Sequence, residues 1–156
     1  MIRALLLAAA VVLAPISALA QTLTVTNAEG KVTTFTAETL AALPRAKVSL
    51  GKRGEYEGVT LASVLREAGV PQGPRLHGKP LSTTVLVVGA DGYRAAFGLA
   101  ETDPSVRSTT IILADRKAAG PLAEAEGPLR LVVEGDQRPE RAVKGVTAIR
   151  VVAAPE

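Results

Sequence analysis

The chain has no cysteine, no tryptophan and a single histidine, His77. Each absence excludes a class of chemistry. Without thiols there is no disulfide, no catalytic cysteine and no thiolate-bound metal. One imidazole cannot furnish a zinc centre, which takes three or four ligands, and carboxylates alone suit harder cations. A Ser-His-Asp triad could draw only on His77. That residue lies in a Pro/Gly-rich loop, where a solvated side chain is the simplest reading, and no serine sits in a nucleophile elbow. Aromatic residues make up 3% of the chain, so the stacking platforms of single-strand binders are missing. The formal charge of +3 calls for no nucleic-acid partner.

What is present begins with an address. Arg3 is followed by the apolar run Ala4 to Ala14, Pro15 and Ser17 interrupt it, and Ala18-Leu19-Ala20 makes a small-x-small cleavage site before Gln21. Residues 1–20 therefore read as a secretory signal peptide, and the apolar run is far short of the ~20 residues of a spanning helix. Cleavage leaves residues 21–156 as one domain of common size, periplasmic or secreted, with no membrane span. A domain of this length buries roughly two-thirds of its unfolded surface and needs no disulfide staple.

Along that domain the periodicity is mostly that of strands. Thr22 to Asn27 alternates, Ala28-Glu29-Gly30 turns, and Lys31 to Phe35 returns as a hairpin. Thr36 caps a short helix carrying Leu40 and Leu43, which Pro44 stops. Ala46 to Leu50 reads as a strand, ended by the polar turn Gly51-Lys52-Arg53-Gly54. The clearest helix follows Thr60, with Leu61, Val64, Leu65 and Ala68 on one stripe and Gly69 closing it. Val70 to Pro80 is a loop. Thr83 to Val88, Tyr93 to Phe97, Thr110 to Ala114, Leu129 to Val133 and Val146 to Val152 are further strands. Leu99 to Thr102 makes one helical turn, and Glu134 to Lys144 is a charged loop. Eight strands and two or three short helices, without the alternation of a doubly wound sheet, predict an α+β, β-rich mixed sheet with a barrel-like core.

Few constellations carry chemistry. Glu55 and Glu57 stand two apart and would share a strand face, as a carboxylate pair or, more simply, as a solvated surface. Gly89-Ala90-Asp91-Gly92 lacks the Lys-Ser/Thr of a phosphate loop and reads as a hairpin turn. Arg130, Arg138, Arg141, Lys144 and Arg150 concentrate positive charge near the C-terminus. Two adjacent strands and their loop could gather these into an anion-sized patch, where an arginine fork would match phosphate or carboxylate.

An order of motifs runs through most of the chain. It comprises Tyr56-Glu57-Gly58-Val59-x-Leu61-x-x-Val64-Leu65-x-x-Ala68-Gly69, Asp91-Gly92-Tyr93 and Leu113-Ala114. It continues through Gly120-Pro121-Leu122, Gly127-Pro128-Leu129-Arg130-Leu131-Val132-Val133, and Val143-Lys144 with Ile149 and Val151. In this order the segments resemble the oxidoreductase molybdopterin-binding domain, the sulfite oxidase-like fold, over roughly residues 23–152. The resemblance implies a β-rich α+β fold and a molybdopterin-dependent oxidoreductase ancestry. It also implies that Arg130 and Lys144 match the family's Arg and Lys near the pterin and its phosphate. The family's molybdenum-ligating cysteine has no counterpart in Val48-Ser49-Leu50-Gly51-Lys52-Arg53, and a serine oxygen is a poor soft-metal ligand. Ala125-Glu126 replaces the family's histidine before the Gly-Pro segment, where a carboxylate would repel phosphate, and Gly145 replaces its tryptophan. The signal has one arginine, not the pair of the route that exports proteins already folded around their cofactor. The expectation is an exported, non-catalytic domain with no cofactor, binding a small anionic ligand or a periplasmic protein partner. A molybdopterin oxidoreductase without a thiolate ligand and a pure interaction module using a sheet edge are the alternatives.

Overall fold

The computed structural model describes residues 22–154; the signal peptide read over residues 1–20 lies outside them. The described residues form ten strands and two short α-helices, with the strands in two five-stranded sheets. The sheets pack as layers, so the core expected to be barrel-like is not a closed barrel.

The first sheet has the order β2-β1-β10-β5-β6, with β1 Thr22–Thr26, β2 Val32–Thr36, β5 Thr84–Gly89, β6 Arg94–Gly98 and β10 Val146–Val152. Both hairpins expected from turn chemistry are there, β1/β2 and β5/β6. In the second turn Gly89 donates its amide to the Tyr93 carbonyl, and Asp91 accepts from the Tyr93 amide. The last strand inserts between the hairpins, parallel to β1 and antiparallel to β5. Alternation sends Leu23, Val25, Val85, Val87, Phe97, Ile149 and Val151 inward to near-complete burial, while Thr22, Arg94 and Arg150 face out.

The second sheet holds β3 Arg45–Ser49, β4 Glu55–Thr60, β7 Ile111–Lys117, β8 Gly120–Pro121 and β9 Arg130–Val133. Two of these strands were not expected. β4 is the inner strand between β3 and β7. Its run Glu55-Tyr56-Glu57-Gly58-Val59 is short, and its glutamates suggest surface rather than a strand sandwiched between two others. β8 is a two-residue pairing that no periodicity can announce. At Gly58 the neighbouring strand comes so close that a Cβ would run into the Leu113 carbonyl and the Ala114 Cα, so the register admits only glycine.

Helix α1, Ala37–Ala41, carries the expected Thr36 cap, reinforced by Thr39. Helix α2, Leu61–Glu67, begins at the Thr60 cap and ends where Gly69 takes a φ of 83°. Its stripe of Leu61, Val64 and Leu65 is wholly buried in the main core between the sheets. The second sheet is buried on both sides. Ile111, Leu113, Leu131 and Val133 enter the main core, whereas Ile112, Ala114 and Val132 join Val48, Leu50, Tyr56 and Ala142 in a smaller one.

Two substitutions test this packing. Leu65→Ala is expected to cost ~2–5 kcal/mol in denaturant melts. Gly58→Ala is expected to cost at least as much, or to prevent folding, because the obstructing atoms are backbone and cannot rotate away.

Candidate functional site

The residues matched to a cofactor site lie at the rim of the smaller core, and they do not converge as charge alone would suggest. Arg130, the first residue of β9, is only 3% exposed. It sits on the same side of its strand as Val132, facing the second core. Lys144 meets Arg130 across an isolated antiparallel bridge, yet its side chain is exposed.

The Arg130 guanidinium already has a partner within the chain. Nη1 donates to Glu126 Oε1 in a close ion pair and to Tyr56 Oη at 3.2 Å. Tyr56 Oη in turn donates to the same Glu126 oxygen at 2.9 Å, and Lys117 Nζ lies 2.8 Å from Glu126 Oε2. Both cations, Arg130 and Lys117, stand 5.2 Å from the centroid of the Tyr56 ring, within cation–π range. Strand pairing makes the cluster: Tyr56 on β4 is in register with Lys117 on β7, and Arg130 on β9 is in register with Ala114 of β7. Glu126 enters from a 3-10 turn over Glu124–Glu126, where the Ala123 amide also donates to it. The carboxylate read as hostile to a bound phosphate is instead the internal counter-ion of the arginine.

Burial works against the charge of Glu126, but hydrogen bonds from Lys117, Tyr56 and the Ala123 amide and the field of Arg130 outweigh it. They hold its pKa at about 2 against a usual 4.5. The Arg130 Nε, also buried, has no hydrogen-bond partner among the described residues.

The turn that admits this cluster needs two glycines. Gly127 has a φ of 75°, and a Cβ there would stand 2.5 Å from the Gly145 Cα, while the Gly145 amide donates to the Glu126 carbonyl. Gly145 has a φ of 54°, a conformation that side chains such as tryptophan rarely adopt.

The other predicted charges are dispersed. Arg138 pairs with Glu140 at 2.6 Å, and Arg141 forks onto Asp136 at 2.6 and 3.0 Å. Arg150 is exposed on β10, in the other sheet. Glu55 and Glu57 do line a strand face, in ion pairs: Glu55 with Lys47, and Glu57 with Arg45 and Arg116. Ser49 is exposed at the end of β3, paired in register with Glu55. His77 is an exposed loop residue, as expected. Among the described residues no group of three or more His, Cys, Asp or Glu could hold a metal ion, and no helix is long and apolar enough to cross a membrane.

Sequence reasoning missed Tyr56, Lys117 and the role of Glu126. The four-residue spacing of Glu126 and Arg130 was the one available signal. Its meaning depended on β4, the strand that was not recognised.

Comparison with known proteins agrees on the architecture. No family model matches the chain, and no curated relative does. Among solved structures, that of the sulfane dehydrogenase SoxCD from Paracoccus pantotrophus is similar, with a TM-score of 0.59 and 22% identity. The match covers 84% of this chain and 38% of that one, so this chain spans well under half of its neighbour's length. At that identity the likeness is one of fold, and it supports the sulfite oxidase-like fold expected from the motif order.

The Glu126 environment carries a pH dependence. Its folded pKa is depressed, so its contribution is complete above the unfolded value of 4.5 and is lost as pH falls from there through about 2. Denaturant melts between pH 6 and pH 2 should show an acid loss of stability that Glu126→Gln diminishes. At neutral pH Glu126→Gln should cost about 3 kcal/mol, because it leaves the buried Arg130 charge without its anion.

Proposed function

We propose that this protein is an exported, non-catalytic binding domain on a sulfite oxidase-like framework. On this reading, the place where the resemblance implies a cofactor has become an internal cluster in which Glu126 answers the Arg130 charge. The observation that carries it is the Arg130–Glu126 pair. Arg130, the match to the family's phosphate-side arginine, is buried and bonded to its own carboxylate. A pterin phosphate there would have to displace Glu126 and would meet its negative charge.

The donor set points the same way. Ser49 is an exposed hydroxyl, and no thiolate exists in the chain to hold a soft metal. The residues present do not fit a molybdopterin centre.

Binding on this reading uses the surface beside the buried cluster. Lys52 and Arg53 stand exposed on a 3-10 turn over Gly51–Arg53, at a cleft of ≈ 400 Å³ shared with Gln137 and Arg138. Lys144 lines a neighbouring cleft with Tyr93 and Glu140, and Pro139 borders both. Exposed cations spread over two adjoining shallow clefts suit the acidic surface of a periplasmic protein better than one small anion, which would need convergent donors.

Two measurements test this function. Elemental analysis of protein purified from its own host should give molybdenum far below one atom per chain; stoichiometric metal would restore the oxidoreductase reading. A protein that co-purifies from the periplasmic fraction at low salt should dissociate at about 0.5 M salt and should be lost from Lys52→Glu/Arg53→Glu. Retention by that variant at low salt would remove the basic surface from the function.

A further inference from the structure

A sheet edge presents unpaired amides and carbonyls, and proteins blunt such edges with charge, proline or a covering loop. Most edges here are blunted. β3 carries Arg45 and Lys47, held in ion pairs with Asp115, Glu57 and Glu55. β8 is two residues long and ends in Pro121. β9 is covered by chain beyond it: the Leu131 amide donates to the Val143 carbonyl, and Arg130 bridges to Lys144. β6 is flanked by the turn over Pro139–Arg141. There Tyr93 Oη donates to the Glu140 carbonyl at 2.6 Å, and the Arg141 guanidinium stands 4.9 Å from the centroid of the Phe97 ring. β2 has none of these devices. Its residues, Val32-Thr33-Thr34-Phe35-Thr36, include no charge, proline or glycine, and among the described residues its only strand partner is β1.

Alternation identifies the groups this edge leaves open. The Asn27 amide donates to the Lys31 carbonyl, so Lys31 turns its backbone toward β1. Along an extended strand successive residues face opposite sides, so Thr33 and Phe35 bond to β1, while Val32, Thr34 and Thr36 face outward. The Thr36 end is closed by the helix cap. Its amide donates to Thr39 Oγ1, and its carbonyl accepts from the same hydroxyl. Val32 and Thr34 remain, each with an amide and a carbonyl that have no partner among the described residues. Both residues are exposed, and Val32, at 58%, is among the most exposed large apolar side chains.

We propose that two copies of this chain pair along β2, antiparallel and two-fold symmetric about Thr33, to make one continuous sheet. In this register Val32 of each copy meets Thr34 of the other. Each such pair exchanges two backbone bonds, so the open groups of one copy satisfy those of its mate and none is left over. Val32 also gains a β-branched neighbour across the new pairing. A pairing centred on Thr34 would set Val32 against the closed Thr36 and forfeit these bonds. No like charges meet in the favoured register. Lys31 falls opposite Phe35, near the helix turn that carries Glu38, and the hairpin leaves the interface at Gly30, opposite the Thr36 cap. This self-complementarity selects a second copy over a foreign strand. The interface is short, so the dimer is reversible, half-formed at about 100 μM. β2 belongs to the first sheet, whereas Lys52 and Arg53 follow β3 of the second, so the dimer and the acidic partner stand or fall separately.

Sedimentation equilibrium of the purified protein, from about 10 μM to about 1 mM, should show a reversible monomer–dimer equilibrium. Val32→Lys/Thr34→Lys sets like charges opposite each other in both pairs and should weaken association at least about tenfold. Val32→Lys/Thr34→Glu sets opposite charges in the same places and should keep the dimer. Both positions are exposed, so dilute samples of these variants should melt with the wild type. If either variant fails to fold, amide hydrogen exchange of the wild type decides. The Val32 and Thr34 amides should be protected at about 1 mM and exchange freely at about 10 μM, while those of Thr33 and Phe35 stay protected at both. A monomer at every concentration, exchange at Val32 and Thr34 that ignores concentration, or a dimer that survives Val32→Lys/Thr34→Lys would each overturn the proposal. Loss of the dimer in a folded Val32→Lys/Thr34→Glu would overturn the register centred on Thr33.

Discussion

The buried Arg130 charge constrains everything around it. A guanidinium removed from water must be paired and hydrogen-bonded or it unfolds its surroundings. This chain answers with a compact set of partners: a carboxylate from the turn before β9, a phenol from β4 and a second cation from β7 that keeps the carboxylate charged. The phenol and the second cation come from different strands of the second sheet, and the carboxylate from the turn that leads into a third. The cluster therefore ties the registers of β4, β7 and β9 together at the edge of the smaller core.

This arrangement bears on what the domain does. In the resemblance, an arginine and a lysine at these positions face an anionic cofactor. Here they are separated by burial: Arg130 is internal and matched, while Lys144 is exposed. On the function proposed above, the same fold serves a different purpose, with one acidic residue placed to answer one basic residue. Fold similarity to a dehydrogenase at 22% identity is compatible with that change, because activity resides in the site and not in the framework.

The framework itself rests on the two-sided burial of the second sheet. Its strands alternate between two cores, so a slip of one residue would move Arg130 into the main apolar core and Leu131 to the rim. Gly58 and the Gly127–Gly145 contact enforce that register by close backbone approach. A cavity at one end of β3 and basic clefts at the other are what the layers leave open once both cores are filled.

Alternation, caps and turn residues were legible in the amino-acid order, because each depends on neighbours a few positions apart. They placed the two hairpins of the first sheet, the Thr36 and Thr60 caps and the buried stripe of α2. The absence of cysteine, equally local, was enough to exclude a thiolate-held metal. Long-range pairing was not legible. That β10 would enter parallel to β1, that Glu55 to Thr60 would be an inner strand, and that Tyr56 and Lys117 would meet the Glu126–Arg130 pair depend on contacts between residues as far apart in the chain as Thr24 and Ala148. A side chain's charge is written in the sequence. Whether that charge faces water or a carboxylate is decided only when distant strands pair and fix which side of the sheet it occupies.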